Sequence, residues 1–223
     1  MSNNQLRVSL NKIAEFTYAS SARKERIVKE QKIKKPFIAA GYREAEDFIP
    51  QFFGKKQDAQ LLQQHLQNLT ALHGFTPKDS LNNSINGLLA LQTMTPIPFG
   101  NVEYHQLPRN SHDGIIVEDV FINVRPDVLL TKTTKGVTTM GAVKLHFPKS
   151  NPLGEKGGYC VAAVLLEYLS QLSAPLGIPK YGLCYSVDVQ PNEIYVSPAS
   201  YKRIMKDLEA ACRQYKLIWN SIK

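Results

Sequence analysis

Val120-Phe121-Ile122-Asn123-Val124-Arg125-Pro126-Asp127-Val128-Leu129-Leu130 is followed, after a turn at Lys132–Gly136, by Thr138-Thr139-Met140-Gly141-Ala142-Val143-Lys144-Leu145-His146-Phe147. Both runs alternate at period 2 and read as the two strands of a hairpin. Successive strand side chains point to opposite faces. Asn123, Arg125 and Asp127 therefore share one face of the first strand, and Val124, Val128 and Leu130 share the other. On the second strand Val143, Leu145 and Phe147 face the core, while Ala142, Lys144 and His146 point the opposite way. The hairpin brings Asp127 near Lys144 on a common polar face.

Strand periodicity extends outward from this hairpin. Val102–Leu107 reads as a strand, and Ile115–Thr131 as one long strand bent or bulged around Glu118-Asp119. Pro148–Gly158 is a loop rich in Pro and Gly, and the nearly all-apolar Tyr159–Leu172 is a buried helix. Tyr181–Val189 and Glu193–Val196 are strands joined by a turn at Pro191-Asn192. A final helix starts at Ser197 or Ser200 and runs to about Ile222, with Leu208, Ala211, Cys212, Tyr215 and Trp219 on its inner side.

Upstream the period is 3.6. Residues 9–35 read as helix, capped by Ser9, with Ile13, Phe16, Ala19 and Ala22 on one face, a break at Ser20-Ser21, and an end at Lys34-Lys35-Pro36. Residues 42–53 form a short helix with Tyr42, Ala45, Phe48 and Ile49 inward. Residues 57–73 form another, with Leu61, Leu62, Leu66, Leu69 and Leu72 as its stripe. Residues 74–100 are turn-rich, with a short apolar element near Leu88–Leu91 and a linker at Thr95–Gly100. The order predicts an α/β (α+β) protein, with a helical N-terminal region at 1–98 and an α/β core domain at 99–223.

Charge is unevenly spread. The chain has 223 residues and a net charge of +8. Residues 1–35 hold nine Lys/Arg against three acids, residues 199–223 hold six against two, and the middle holds twelve against fourteen. Two basic ends fit an anionic partner, most commonly nucleic acid. Arg23, Arg26 and Lys29 share one side of their helix, and Lys24 and Lys32 add to the basic run. No run approaches the ~18 apolar residues of a membrane span. The polar N-terminus leads us to expect no secretory signal, and the cytoplasm is the expected compartment. Cys160, Cys184 and Cys212 are few and widely spaced, so each is expected to be a small buried hydrophobe. Residues 9–72 are helical enough to mediate a homodimer.

A carboxylate and an ammonium on one face have a chemical use. Asp127 can hold a divalent metal, and Lys144 can orient the attacking water or stabilise charge on a phosphate. On Pro126-Asp127, on Lys144 and on the element order, residues 100–200 resemble the PD-(D/E)XK nuclease superfamily, nearest to its RecB-like exonuclease branch. That resemblance implies a central mixed sheet flanked by helices. It implies Mg²⁺ or Mn²⁺ held by Asp127 with the Val143 carbonyl, and Lys144 beside the attacking water. The family's second acid falls at Ala142, which has no oxygen to offer. A displaced acid from Glu155 or Glu167, and an upstream acid from Glu103, Glu44 or Glu46, would complete the site. The branch's Gln and Tyr on the following helix are met only by Tyr159 and Tyr168.

Other signals are weaker. His65, His73, His105, His112 and His146 have no HExxH or paired metal spacing. His146 shares the Lys144 face and could contact a phosphate or metal, and His105 and His112 could approach the hairpin. Lys149, Lys156 and Gly157-Gly158 suggest an anion cradle where the buried helix begins. Arg23, Lys24, Arg26, Lys29, Lys32, Arg125, His146 and Lys149 form the expected nucleic-acid contacts. No nucleophile elbow or Cys–His pair is present. Two function classes follow. One is a nucleic-acid-associated, metal-dependent phosphodiester hydrolase. The alternative is a non-catalytic nucleic-acid- or protein-binding module with a decayed site, which Ala142 favours.

Overall fold

The computed structural model describes residues 6–33, 41–72, 78–106, 114–172 and 175–222. Strand β1 (Leu6–Ser9) leads into helices α1 (Leu10–Tyr18), α2 (Ser21–Lys32), α3 (Arg43–Gly54), α4 (Ala59–Ala71) and α5 (Lys78–Met94). Strands β2 (Glu103–His105), β3 (Gly114–Val117), β4 (Val120–Asn123), β5 (Val128–Thr134) and β6 (Val137–His146) follow. Helix α6 (Gly154–Ser170), strands β7 (Ile178–Asp188) and β8 (Glu193–Val196), and helix α7 (Tyr201–Ser221) complete the chain. The class is mixed α/β, as the sequence predicts.

The main sheet has the order β2-β5-β6-β7-β8. Its strands are antiparallel except β6 and β7, which run parallel and are joined by α6. A parallel pair cannot be closed by a tight turn, so the apolar run at 159–172 becomes the crossover helix. The sheet is covered on both faces. Leu129, Met140, Ala142 and Cys184 share one core with α1, α2, α6 and α7. Val128, Leu130, Val143, Leu145 and Phe147 share the other with α3, α4 and α5. The N-terminal helices thus contribute to both cores. Gly158 lets α6 lie close, because a Cβ there would sit 2.0 Å from the Tyr195 ring. Gly87 does the same for α5, where a Cβ would meet the Phe147 ring at 2.8 Å.

Several sequence expectations are corrected. Ile115–Thr131 is three strands in two sheets. At Glu118 and Asp119 φ is 50° and 61°, so the chain reverses there into a tight hairpin rather than bulging. Strands β3 and β4 join β1 in a separate three-stranded sheet, with β1 parallel to β4. Asn123 therefore does not share a sheet face with Asp127. The turn-rich 74–100 segment contains the 17-residue α5. Its Leu81, Leu88 and Leu91 are buried, but Asn82, Asn83, Asn86 and Gly87 mask the helical period. Residues 9–35 start as strand, Ser9 makes no side-chain cap and Ala22 is exposed, while the expected break is present, at Ala19-Ser20 between α1 and α2. Leu72 is exposed beyond α4. Gly157 and Gly158 lie inside α6 and are buried, so they form no anion cradle. Lys34-Lys35-Pro36, His73, Leu107 and His112 lie outside the described residues.

The Thr95–Gly100 segment is packed rather than free. Ile97 and Phe99 are buried in the second core. The Gln57 amide donates to Ile97 O at 3.1 Å and accepts from Ile97 N at 2.7 Å. All three cysteines are free and buried, as expected. Among the described residues no helix is long and apolar enough to cross a membrane.

Candidate functional site

Strand register puts Val128 opposite Val143, so Asp127 lies opposite Lys144 at the end of the same ladder. Lys144 Nζ donates to Asp127 Oδ1 at 2.9 Å, and Leu145 N donates to Asp127 Oδ2 at 2.7 Å. The two side chains are 14% and 18% exposed, which protects the pair from full solvent screening. The pairing foreseen in the hairpin is therefore present, but not on an open polar face. Ala142 is fully buried against the first core.

The neighbouring backbone restricts the ligand set. Val143 O accepts from Asp127 N at 2.8 Å and is buried, so it is already committed to the ladder. Glu103 pairs with Thr131, four residues along β5 from Asp127, or about 13 Å at ordinary strand rise. Glu155 is exposed on the first turn of α6, where its charge reaches Tyr195 rather than Asp127. Glu167 pairs with Lys202 at 2.8 Å. Glu44 accepts from Ser80 and Ser84 at 2.8 and 2.9 Å and ties α3 to α5. None of these four carboxylates joins Asp127.

Glu46, on the first turn of α3, is near enough to the pair for both charges to act on it. Crowding by the protein raises its pKa; Lys144 opposes the rise, Asp127 adds to it, and Arg125 opposes it again. Glu46 lines an open cleft, which explains how it is both crowded by protein and reached by solvent. The cleft encloses about 230 Å³ between the starts of α1 and α3 and the end of β6. Among the described residues no three His, Cys, Asp or Glu side chains converge as a metal cage. Asp127 and Glu46 are two carboxylates whose charges act on each other, and of the two Glu46 lines the cleft. That set fits Mg²⁺ or Mn²⁺, which need only one or two carboxylates and complete their shells with water and phosphate oxygens.

His146 also lines this cleft but differs from expectation. It is 7% exposed, and its Nε2 lies 2.8 Å from Asn151 O. The carbonyl can only accept, so Nε2 carries the hydrogen and Nδ1 is left as an acceptor. Burial lowers its pKa and keeps the ring neutral. With Nε2 bonded to Asn151 O and the ring buried, His146 has no exposed N–H for a phosphate, unlike the contact expected from the sequence. His105 bonds Thr131 Oγ1 at 2.7 Å, and His65 stacks on Phe48 with centroids 4.0 Å apart.

The basic helix α2 packs against α7, which brings the two basic ends of the chain together. Much of its charge is already used. Arg23 pairs with Glu15, and Arg26 bonds Glu30 at 2.9 Å. Lys24 donates to Gln214 Oε1 at 2.9 Å, and Lys32 donates to Trp219 O at 3.0 Å and to Ile222 O near the C-terminus of α7. Lys29, Arg125 and Lys149 are exposed.

Asp188 was not foreseen. It is fully buried at the end of β7, beside His146 in the register, and its Oδ2 accepts from Leu153 N at 2.6 Å. Its Oδ1 has no partner. Burial pushes its pKa up to about 6; the Leu153 N–H opposes the rise and Glu193 adds to it. The sequence signal was slight: one acid ending an apolar strand. No protein-family model matches this chain, and no curated protein matches it.

Proposed function

We propose that this chain is a nucleic-acid-associated protein of the PD-(D/E)XK type, with a divergent metal-dependent phosphodiester hydrolase site. The observation that carries the reading is the Asp127–Lys144 bond at 2.9 Å, with the Glu46 carboxylate near enough for the charges of both to act on it. The order of a helix, strands β2, β5 and β6, the crossover helix α6 and strand β7 supports it. Asp127 and Glu46 would hold Mg²⁺ or Mn²⁺, with Glu46 standing in for the acid that Ala142 lacks. Such an ion polarises a phosphodiester and lowers the pKa of bound water. Lys144 Nζ donates to the attacking water or to a phosphate oxygen. Arg125, Lys149 and Lys29 are the exposed cations available to the rest of the strand.

Titrating Mn²⁺ calorimetrically into the wild type, Asp127→Ala and Glu46→Ala tests this reading. Binding to the wild type that is lost in both variants is the expected result. No binding at millimolar metal would overturn the hydrolase reading.

A second reading has its own observation. Both Asp127 oxygens and Val143 O are satisfied within the hairpin, as in a site kept for structure alone. The protein is then a non-catalytic binder of nucleic acid. In that case a labelled oligonucleotide binds without metal, and its affinity falls steeply with salt. Lys29→Glu reduces the salt slope by about one.

A further inference from the structure

We propose that the cleft beside Asp127 and Lys144 is a base-reading subsite, which takes an amino-bearing nucleobase on His146 Nδ1 and Asn11 Oδ1. The inference rests on the nucleic-acid reading above.

His146 and Asn11 both line the cleft, one from β6 and one from α1. Each spends one polar atom within the protein. His146 Nε2 is bonded to Asn151 O at 2.8 Å, and Asn11 Nδ2 donates to Leu145 O at 3.3 Å. Those bonds fix which atoms remain. His146 Nδ1 and Asn11 Oδ1 are left as acceptors, buried and without a partner. Buried polar atoms are nearly always paired, so two orphaned acceptors at the foot of one cleft call for a donor from outside the chain. Opening by a small movement of the cleft wall would admit it.

The surroundings select the donor's class. Two carboxylates line the cleft: Glu15 is bonded by Lys12 at 2.7 Å and paired with Arg23, and Glu46 is the one assigned to the metal, so neither is left to hold a cation at the two acceptors. Tyr42 stacks on Phe147 with centroids 5.5 Å apart, and Pro148 adds another flat apolar surface. A neutral, planar, donor-bearing group fits that combination. The exocyclic amines of adenine, cytosine and guanine supply such donors. Thymine and uracil have no amine; their single N3–H donor is flanked by two carbonyls, which would be set against the acceptors. His146 is two residues from Lys144 on β6, so a base seated there belongs to a strand whose backbone passes the Asp127–Lys144 pair.

The test compares cytidine, adenosine and thymidine by calorimetry with the full chain, and then labelled oligo(dC) and oligo(dT) by fluorescence anisotropy. The expected result is about tenfold tighter binding of cytidine or adenosine than of thymidine. Asn11→Ala should abolish that preference while leaving the circular dichroism spectrum unchanged. Equal or absent binding of the three nucleosides by the wild type overturns the subsite whatever the variant does. If the two oligonucleotides then still bind equally well, the nucleic-acid reading stands without it. Nucleoside preference with no oligonucleotide binding supports the subsite and removes the nucleic-acid function. Binding of spermidine in place of nucleosides would show a cation site and overturn the proposal.

Discussion

Asp127 and Asp188 both sit at strand ends of the main sheet, and both accept a backbone N–H, yet their surroundings set them apart. Asp127 has Lys144 at 2.9 Å and keeps 14% of its side chain exposed. Asp188 is sealed, has one oxygen without a partner, and has its pKa pushed up to about 6. A paired, partly exposed carboxylate keeps its charge available to a ligand. A sealed one is there to hold the loop between β6 and α6.

The largest expected effect comes from pH. Asp188 titrates near 6 when folded and near 3.8 when exposed. Between those values the folded chain keeps a proton that the unfolded chain has released. Stability therefore falls as pH climbs from about 4 to about 6 and levels off above, by up to roughly 3 kcal/mol. Asp188→Asn should flatten that window in urea midpoints taken at pH 4.5 and 7.5. An unchanged slope would show that Asp188 is not the group responsible.

Asp188→Ala at pH 4.5 comes next. It leaves Leu153 N without its acceptor and should cost about 2 kcal/mol. The loss should shrink at pH 7.5, where the ionised carboxylate is itself strained by burial. A loss that grows with pH would reverse the contrast with Asp127.

Lys144→Met should cost about 1 kcal/mol in urea, because Asp127 keeps the Leu145 N–H and some access to water. Glu46→Gln should change stability least, by under about 0.5 kcal/mol, because its side chain reaches solvent. A larger loss there would mean that Glu46 serves the fold rather than a ligand.

The hairpin was legible because its information is local. Alternation fixed which residues share a face, but the turn read at Lys132–Gly136 is three residues too long; the two-residue turn at Lys135-Gly136 sets the register that puts Asp127 against Lys144. What covers that face was not legible. The expected polar face of Ala142, Lys144 and His146 is covered in part by α6, the next element, and in part by α1, whose Asn11 reaches Leu145 from 134 residues earlier. Glu46 was one of several candidate acids, and only the packing of α3 against the sheet separates it from Glu44, one turn face away. The expected grip of α2 on phosphates ran into the same difficulty. Periodicity identified the basic helix, but Lys24 and Lys32 are spent on α7, a helix about 190 residues later.

Local pattern by itself determined the strand hairpin, the buried crossover helix, the inner stripe of the last helix, and the excess of cations at both ends. These follow from side-chain period and composition, which act over a few residues. Tertiary structure alone decided the split of 115–131 into two sheets, the helix hidden in the Asn-rich stretch 78–94, and the burial of Asp188. It also decided the meeting of Asn11 with His146. Each of those depends on which distant surface removes water from a residue, and that is settled by packing.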